Sequence, residues 1–310
     1  MLSQNTIYII GAGAIGKALA VILTRKGVKV IILRGSIDNQ ANYEEKICVE
    51  LSDQRMIEAE VLVSTLSHFP GLDGIVVLAN KSYGNLHLSK ALVDKIHQSP
   101  LVVLQNGLHV EEPFIHKGYP QIYRCVLYTT CQFISQNTVR LKPVAASPVG
   151  VIKGTLENLE WIVREFDSPD FAFRSENNIQ PIIWTKVIIN SVFNSLCPLL
   201  ETDNGIFYRN EKVLDLARRI IAECIAVAKV QGILLDADKV TDSLLQISKF
   251  SDGQLISTYQ DIQQKRSTEI ETLNFAIAKV ANESGMGHVA GATNLLGELI
   301  YLKSEIHRGN

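Results

Sequence analysis

The segment TIYIIGAGAIGKALAVILTRKG, followed directly by VKVIILRGS, restricts the fold more than any other part of this chain. A short apolar run enters Gly11-Ala12-Gly13-Ala14-Ile15-Gly16, a helix-like stretch leaves it, and a second apolar run follows. This is G-x-G-x-x-G in a strand-turn-helix setting, where each glycine has its own task. Gly11 permits the tight turn, Gly13 lets the backbone approach a pyrophosphate, and Gly16 lets helix and sheet pack closely. The loop amides and the helix N-terminus then supply partial positive charge without a charged side chain. The same geometry also serves packing alone, so dinucleotide binding competes here with a plain glycine turn.

Beyond this unit, short apolar runs continue to alternate with helix-like segments as far as about Gly107. Candidate strands are IYII, VKVIIL, AEVLVSTL, GIVVLAN and LVVLQNG, with a helix from Leu86 to His97 between the last two. Buried runs separated by helices predict a parallel sheet covered on both faces. Residues 123–154 are richer in β-branched and aromatic side chains and are expected to extend the sheet as an antiparallel addition. After WIVREF the pattern changes to longer helices, Ile179–Leu200, Val213–Val230 and Ser267–Ser284, with Asp238–Phe250 as a further one. The expectation is an α/β protein: a Rossmann-type dinucleotide-binding domain over residues 1–170 and a mostly helical domain over 171–310.

With 310 residues, 46% of them hydrophobic, the chain is long enough for two cores. Thirty Lys and Arg against thirty-two Asp and Glu, with no long basic tract, argue against a nucleic-acid partner. No run of eighteen uninterrupted apolar residues occurs, and MLSQNTIYII lacks the basic start of a signal peptide. A cytoplasmic protein without a membrane partner is therefore expected. Five scattered cysteines read as reduced filler, and the seven histidines form no metal-binding spacing, so no metal is expected.

Several polar residues stand where chemistry would be placed. Arg34 closes the second strand, with Ser36 just beyond it and no acid before Asp38. A carboxylate there accepts bonds from an NAD ribose, whereas an arginine pairs with a 2'-phosphate, so NADP is favoured over a solvated loop arginine. Lys81 follows another strand at the same edge, where it could neutralise a cofactor phosphate or a substrate carboxylate; an ordinary surface lysine is almost as good a reading. Asn106, in LVVLQNGL, brings an amide to the crevice where ligands bind; a structural Asn-Gly turn competes, and Gln105 is the other candidate for the exposed member.

In the helical region, Lys186, Asn190 and Asn194 recur at i, i+4 and i+8 along IIWTKVIINSVFNSL, on one stripe of an otherwise apolar helix. The stripe is either a solvent face or a line of specific hydrogen bonds; asparagine's poor helix propensity adds weight to the second. Ser257 and Glu269 lie twelve residues apart further on, and Ser267 or Thr268 could cap the helix that starts there. An ammonium and a carboxylate facing a nicotinamide suit carbonyl reduction, where negative charge grows on oxygen.

Together, GAGAIG, LVVLQNGL, WTKVIINSVFNSL and STYQDIQQKRSTEIETLNFAIAKVANESG resemble the ketopantoate reductase (2-dehydropantoate 2-reductase) family over essentially the whole chain. The resemblance implies NADPH-dependent reduction of 2-dehydropantoate to pantoate in pantothenate biosynthesis, by a monomer or homodimer acting on a small 2-oxo acid. By the same match, Lys186 is similar to the lysine that polarises the substrate carbonyl, and Glu269 to the acid that holds the substrate hydroxyl and contacts cofactor and lysine. Asn106 corresponds to a residue between nicotinamide and substrate, Asn190 and Asn194 to pocket residues, and Ser257 to a contact of the substrate carboxylate. Arg34 and Lys81 match cofactor-binding positions. Two departures bear on the substrate: ESGMGHVAGATNLL lacks the family's proline-bearing turn, and YTTCQFISQNT lacks its glycine-rich character. Reduction of another small branched 2-oxo acid, or non-catalytic NADP sensing, are the alternatives.

Overall fold

The computed structural model describes residues 6–35 and 37–309, so Ser36 lies outside the described residues. Two compact units form: the chain up to Gln105 with Val110–Ile179, and Asn106–His109 with the chain from Gln180 onward.

In the first unit, β1 (Thr6–Ile10), α1 (Ala14–Arg25) and β2 (Lys29–Arg34) follow one another as the glycine motif predicts. There follow β3 (Tyr43–Glu50), β4 (Met56–Thr65), β5 (Gly74–Leu78), α2 (Asn85–Ile96), β6 (Leu101–Val103) and α3 (Glu112–His116). The remainder is β7 (Ile122–Cys125), β8 (Thr129–Ser135), β9 (Thr138–Pro143), β10 (Ser147–Lys153), α4 (Leu156–Phe166) and β11 (Phe173–Glu176). All strands join one sheet in the order β11-β10-β7-β6-β5-β1-β2-β4-β3-β9-β8.

Its centre, from β7 through β6, β5, β1 and β2 to β4, is parallel throughout. The order in which successive strands are laid down reverses at β1, whose neighbours are β2 on one side and β5 on the other. Such a switch point opens a crevice at the carboxyl ends of the strands. Alternation along β1 separates two cores: Ile7 and Ile9 pack with Leu19, Val21 and Leu23 of α1, while Tyr8 and Ile10 pack with Leu88 and Leu92 of α2. Burial on both faces is why these strands read as continuous apolar runs.

The expected antiparallel addition is present but divided. β10 runs antiparallel to β7 and β8 antiparallel to β9, yet β7 continues the parallel centre and β9 pairs in parallel with β3. β3 was not among the expected strands; its sequence, YEEKICVE, is half charged, and only Ile47 and Val49 face the core. Here Lys17 of α1, 7% exposed, reaches Glu45 of β3 at 2.6 Å. β11 pairs with β10 through its backbone, which carries the first unit past residue 170 to Ile179.

The second unit is helical: α5 (Gln180–Leu199), α6 (Ile206–Arg209), α7 (Glu211–Val230), α8 (Ala237–Phe250), α9 (Ser257–Gln263), α10 (Asn274–Glu283) and α11 (Gly291–Arg308). Asn210 and Asp236 cap α7 and α8 by accepting first-turn amides, as short polar side chains do. α5 is long and apolar enough to cross a membrane, but 72% of its apolar window is buried inside the protein. The helix expected from Ser267 begins only at Asn274. Before it, the Thr272 hydroxyl donates to the Glu269 carbonyl at 3.1 Å around a short 3-10 turn, a local bond that competes with helix formation. All five cysteines are free thiols, and burial pushes those of Cys197 and Cys224 up to about 12.

A Cβ at Gly16 would stand 2.1 Å from the Gly11 carbonyl oxygen, a clash with backbone that no rotamer relieves. Gly16→Ala is therefore expected to destabilise the protein by about 1–3 kcal/mol, read as a lower urea midpoint.

Candidate active site

The glycine loop separates its three tasks physically. Gly11 ends β1 with φ +118°, a conformation side chains resist, and a Cβ there would lie 2.6 Å from the Asn80 backbone nitrogen. Gly16 is required by the Gly11 carbonyl. Gly13 needs no special φ and nothing stands within 4 Å of a Cβ placed on it, so its freedom serves no internal contact. It is the N-cap of α1, yet no side chain caps this helix and no acid occupies its first turn. The first-turn amides, from Ala14 onward, thus present an uncompensated positive end suited to a phosphate. Ala12, Ala14 and Ile15 are half-buried around the same turn.

Arg34 is the last residue of β2. Its Nη1 donates to Gln40 Oε1 at 2.7 Å and its guanidinium lies 5.4 Å from the centroid of the Tyr43 ring. Nε and Nη2 are buried without a hydrogen-bond partner among the described residues. Two neighbouring donors left unmet inside a protein carry a desolvation cost, and their fork matches two oxygens of one phosphate. The first acid after β2, Asp38, is committed elsewhere: it accepts the amides of Asn39 and Ser67, and Ser67 above all holds its carboxyl down to about 2. Lys81 is exposed at the turn that follows β5 and leads to α2.

Of the pair that ends LVVLQNG, Gln105 is not the exposed member. It is 6% exposed, and its side chain is bonded to Asn85 and to the Asn80 carbonyl. Asn106 is half-buried and opens the four-residue stretch that counts with the second unit. Gly107 there has φ +108°, and a Cβ on it would meet the Thr272 side chain at 2.4 Å; the Leu108 amide donates to the Thr272 carbonyl at 2.9 Å. This segment thereby packs three residues from Glu269, a contact that sequence inspection missed because Thr272 carries no chemical signal of its own.

On α5 the polar stripe is not a solvent face. Asn194 is 3% exposed, while Lys186 and Asn190 are half-buried. Asn194 Nδ2 donates to the Asn190 carbonyl at 2.9 Å, and Asn194 Oδ1 accepts from Ser257 Oγ at 3.4 Å and from the Thr258 amide at 3.3 Å. Asn194 thus caps α9, a helix without a cap of its own, and draws Ser257 to the same face of α5. Ser257 itself is exposed, and Glu269 is half-buried at the start of the 3-10 turn. An amine, two amides, a hydroxyl and a carboxylate thus all belong to the second unit, with Asn194 and Ser257 directly joined. Such a donor-rich set suits an oxygenated anion whose carbonyl is to be polarised.

The family model described as "Ketopantoate reductase PanE/ApbA" matches residues 7–152, and "Ketopantoate reductase PanE/ApbA C terminal" matches residues 178–296. A 2-dehydropantoate 2-reductase of Pyrococcus abyssi is 26% identical over 276 residues, covering 89% of this chain and 90% of that protein. A PanE/ApbA family ketopantoate reductase from Ralstonia eutropha JMP134 has a TM-score of 0.83 at 21% identity, covering 98% and 99% of the two chains. A D-mandelate dehydrogenase, solved with NADH and anilino(oxo)acetate, has the same TM-score of 0.83 at 22% identity, covering 97% and 99%. Likeness at such identities establishes the fold.

Two substitutions probe the glycine loop and the α9 cap. Gly13→Val places a side chain only in the open space before α1; thermal stability is expected to stay within about 1 kcal/mol of wild type, while dinucleotide affinity measured by fluorescence titration falls at least tenfold. Asn194→Ala removes a buried cap and is expected to cost about 1–2 kcal/mol by urea denaturation.

Proposed function

Because the chain belongs to the ketopantoate reductase family, we propose that it reduces 2-dehydropantoate to pantoate with NADPH, a step of pantothenate biosynthesis. The observation that carries this reading is the polar line Lys186, Asn190, Asn194 on a mostly buried helix, extended to Ser257 by a direct bond. The residues that would hold the dinucleotide are Gly11 to Gly16 for the diphosphate, Arg34 and Lys81 for phosphate charge, and Asn106 and Glu269 near the nicotinamide. The fit rests on the open face at Gly13 and on the two unmet nitrogens of Arg34, which favour a 2'-phosphate and hence NADPH. When bound, the reduced nicotinamide supplies the hydride.

Negative charge then grows on the ketone oxygen. Lys186 donates to that oxygen and delivers its proton, and Glu269 accepts from the substrate hydroxyl and orients the amine. Asn190 and Asn106 donate amide hydrogens that fix the substrate's orientation. Ser257 has one proton, held in a long 3.4 Å bond to Asn194, and exchanges that acceptor for the substrate carboxylate. Asn194 keeps one free amide hydrogen for the ligand while its oxygen serves α9.

A second reading is favoured by the fold shared with a D-mandelate dehydrogenase solved with NADH: reduction of a different 2-oxo acid. Initial rates with 2-dehydropantoate, branched aliphatic and aromatic 2-oxo acids, each with NADPH and NADH, decide between them. Selectivity for 2-dehydropantoate with NADPH is expected; a faster rate with another acid, or with NADH, overturns the proposal. Lys186→Ala is expected to lower kcat by about 10²–10³. Arg34→Ala should weaken NADPH binding about 10–100-fold while leaving NADH nearly unaffected, as loss of charge-assisted bonds to one phosphate requires.

A further inference from the structure

Gln105, the residue that precedes Asn106, belongs to a polar network that no step above uses. Asn85 Nδ2 donates to Gln105 Oε1 at 2.6 Å, and Gln105 Nε2 donates back to Asn85 Oδ1 at 2.9 Å, closing a reciprocal amide pair. The second hydrogen of each NH2 group goes to backbone: Gln105 Nε2 to the Asn80 carbonyl at 2.9 Å and Asn85 Nδ2 to the Val110 carbonyl at 2.8 Å. All four amide hydrogens are therefore used, inside a region where Asn85 is 2% and Gln105 6% exposed. Close by, Arg124 of β7 is 2% exposed; it is paired with the Glu111 carboxylate, and its Nη2 donates to the Gln105 carbonyl at 3.3 Å.

These bonds share a target. Gln105 and Val110 are the two roots of the stretch Asn106–His109, and Glu111 immediately follows the second root. The amide pair ties root to root, from the Gln105 side chain through Asn85 to the Val110 carbonyl. Arg124 ties them again, from the Gln105 carbonyl to the Glu111 side chain. That carbonyl belongs to the peptide group whose amide nitrogen is Asn106's, so Arg124 holds the plane from which the Asn106 side chain departs. The Asn80 carbonyl adds a third anchor, at the residue against which Gly11 is pressed. Burying an arginine, a glutamate and two primary amides to brace a four-residue loop is costly where apolar groups would fill the same space. The expense makes sense if the loop has to hold one position.

We propose that Gln105 and Asn85, seconded by Arg124 and Glu111, are positioning residues that clamp both roots of the Asn106–His109 loop and thereby fix Asn106 for hydride transfer. The inference rests on the reading of Asn106 given above and assigns the function of its support. Fixed placement matters because a displacement near 1 Å at a reacting group costs about 10²-fold in rate.

The test is the double variant Asn85→Leu with Gln105→Met, which removes both amides together. Replacing both partners with apolar groups of similar shape spares stability relative to Asn85→Leu alone, which strands the buried Gln105 amide. A purely structural pair would recover turnover along with stability. The clamp predicts otherwise: kcat with NADPH and 2-dehydropantoate stays about 10–100-fold below wild type, NADPH affinity changes less than threefold, and hydrogen exchange at the Leu108 amide accelerates at least tenfold while β1 amides remain protected. Wild-type kcat in the double variant, or unaltered Leu108 exchange, overturns the clamp. Asn106→Ala serves as control: if it keeps wild-type turnover, or if the wild-type protein reduces no 2-oxo acid, the catalytic reading fails and exchange alone judges the clamp.

Discussion

The turn at the end of β1 is the constraint from which the rest follows. Gly11 adopts a conformation closed to side chains and sits against the Asn80 backbone, where β1 and β5 diverge, while its carbonyl leaves no room for a Cβ on Gly16. Two backbone contacts thus seat α1 with its N-terminal amides at the switch point of a parallel sheet. The groups proposed for the phosphates of a dinucleotide all belong to the first unit: the open face at Gly13, the guanidinium nitrogens of Arg34 at the end of β2, and Lys81 after β5. Gln105 is tied to the same point, its side chain donating to the Asn80 carbonyl.

The second unit handles polarity differently. Its stripe on α5 places an amine and two amides among apolar neighbours, and one of those amides, Asn194, works mostly for the protein. By accepting from Ser257 and Thr258 it supplies the cap that α9 lacks and sets where the Ser257 hydroxyl stands. A substitution there removes a structural bond together with the amide proposed for the substrate. Asn190 and Lys186, one and two turns earlier, are half-buried.

Local signals made much of this legible. The glycine spacing, the apolar runs of β1, β2, β4, β5 and β6, and the i, i+4, i+8 stripe are short-range patterns, and each corresponds to an element found in place. What escaped was set by partners distant in the chain. β3 is half charged and is a strand because β4 and β9 pair with it on either side. β11 pairs through backbone groups, which leave no mark on side-chain identity. Ser267 and Thr268 read as helix caps, yet Thr272 bonded to the Glu269 carbonyl holds a 3-10 turn and defers α10 to Asn274. Gln105 and Asn85 are twenty residues apart, and only folding reveals that their amides satisfy each other. Arg124 in IYRC was the one audible hint, a lone charge within a buried strand.

The most direct test of the central claim is a crystal structure of the protein with NADP+ and pantoate bound together. The account predicts the 2'-phosphate on the guanidinium of Arg34 and the Lys186 amine within about 3 Å of the oxygen on the reacting carbon, at ordinary hydrogen-bond length. Pantoate bound out of reach of Lys186, or an adenosine end that leaves Arg34 untouched, would contradict it.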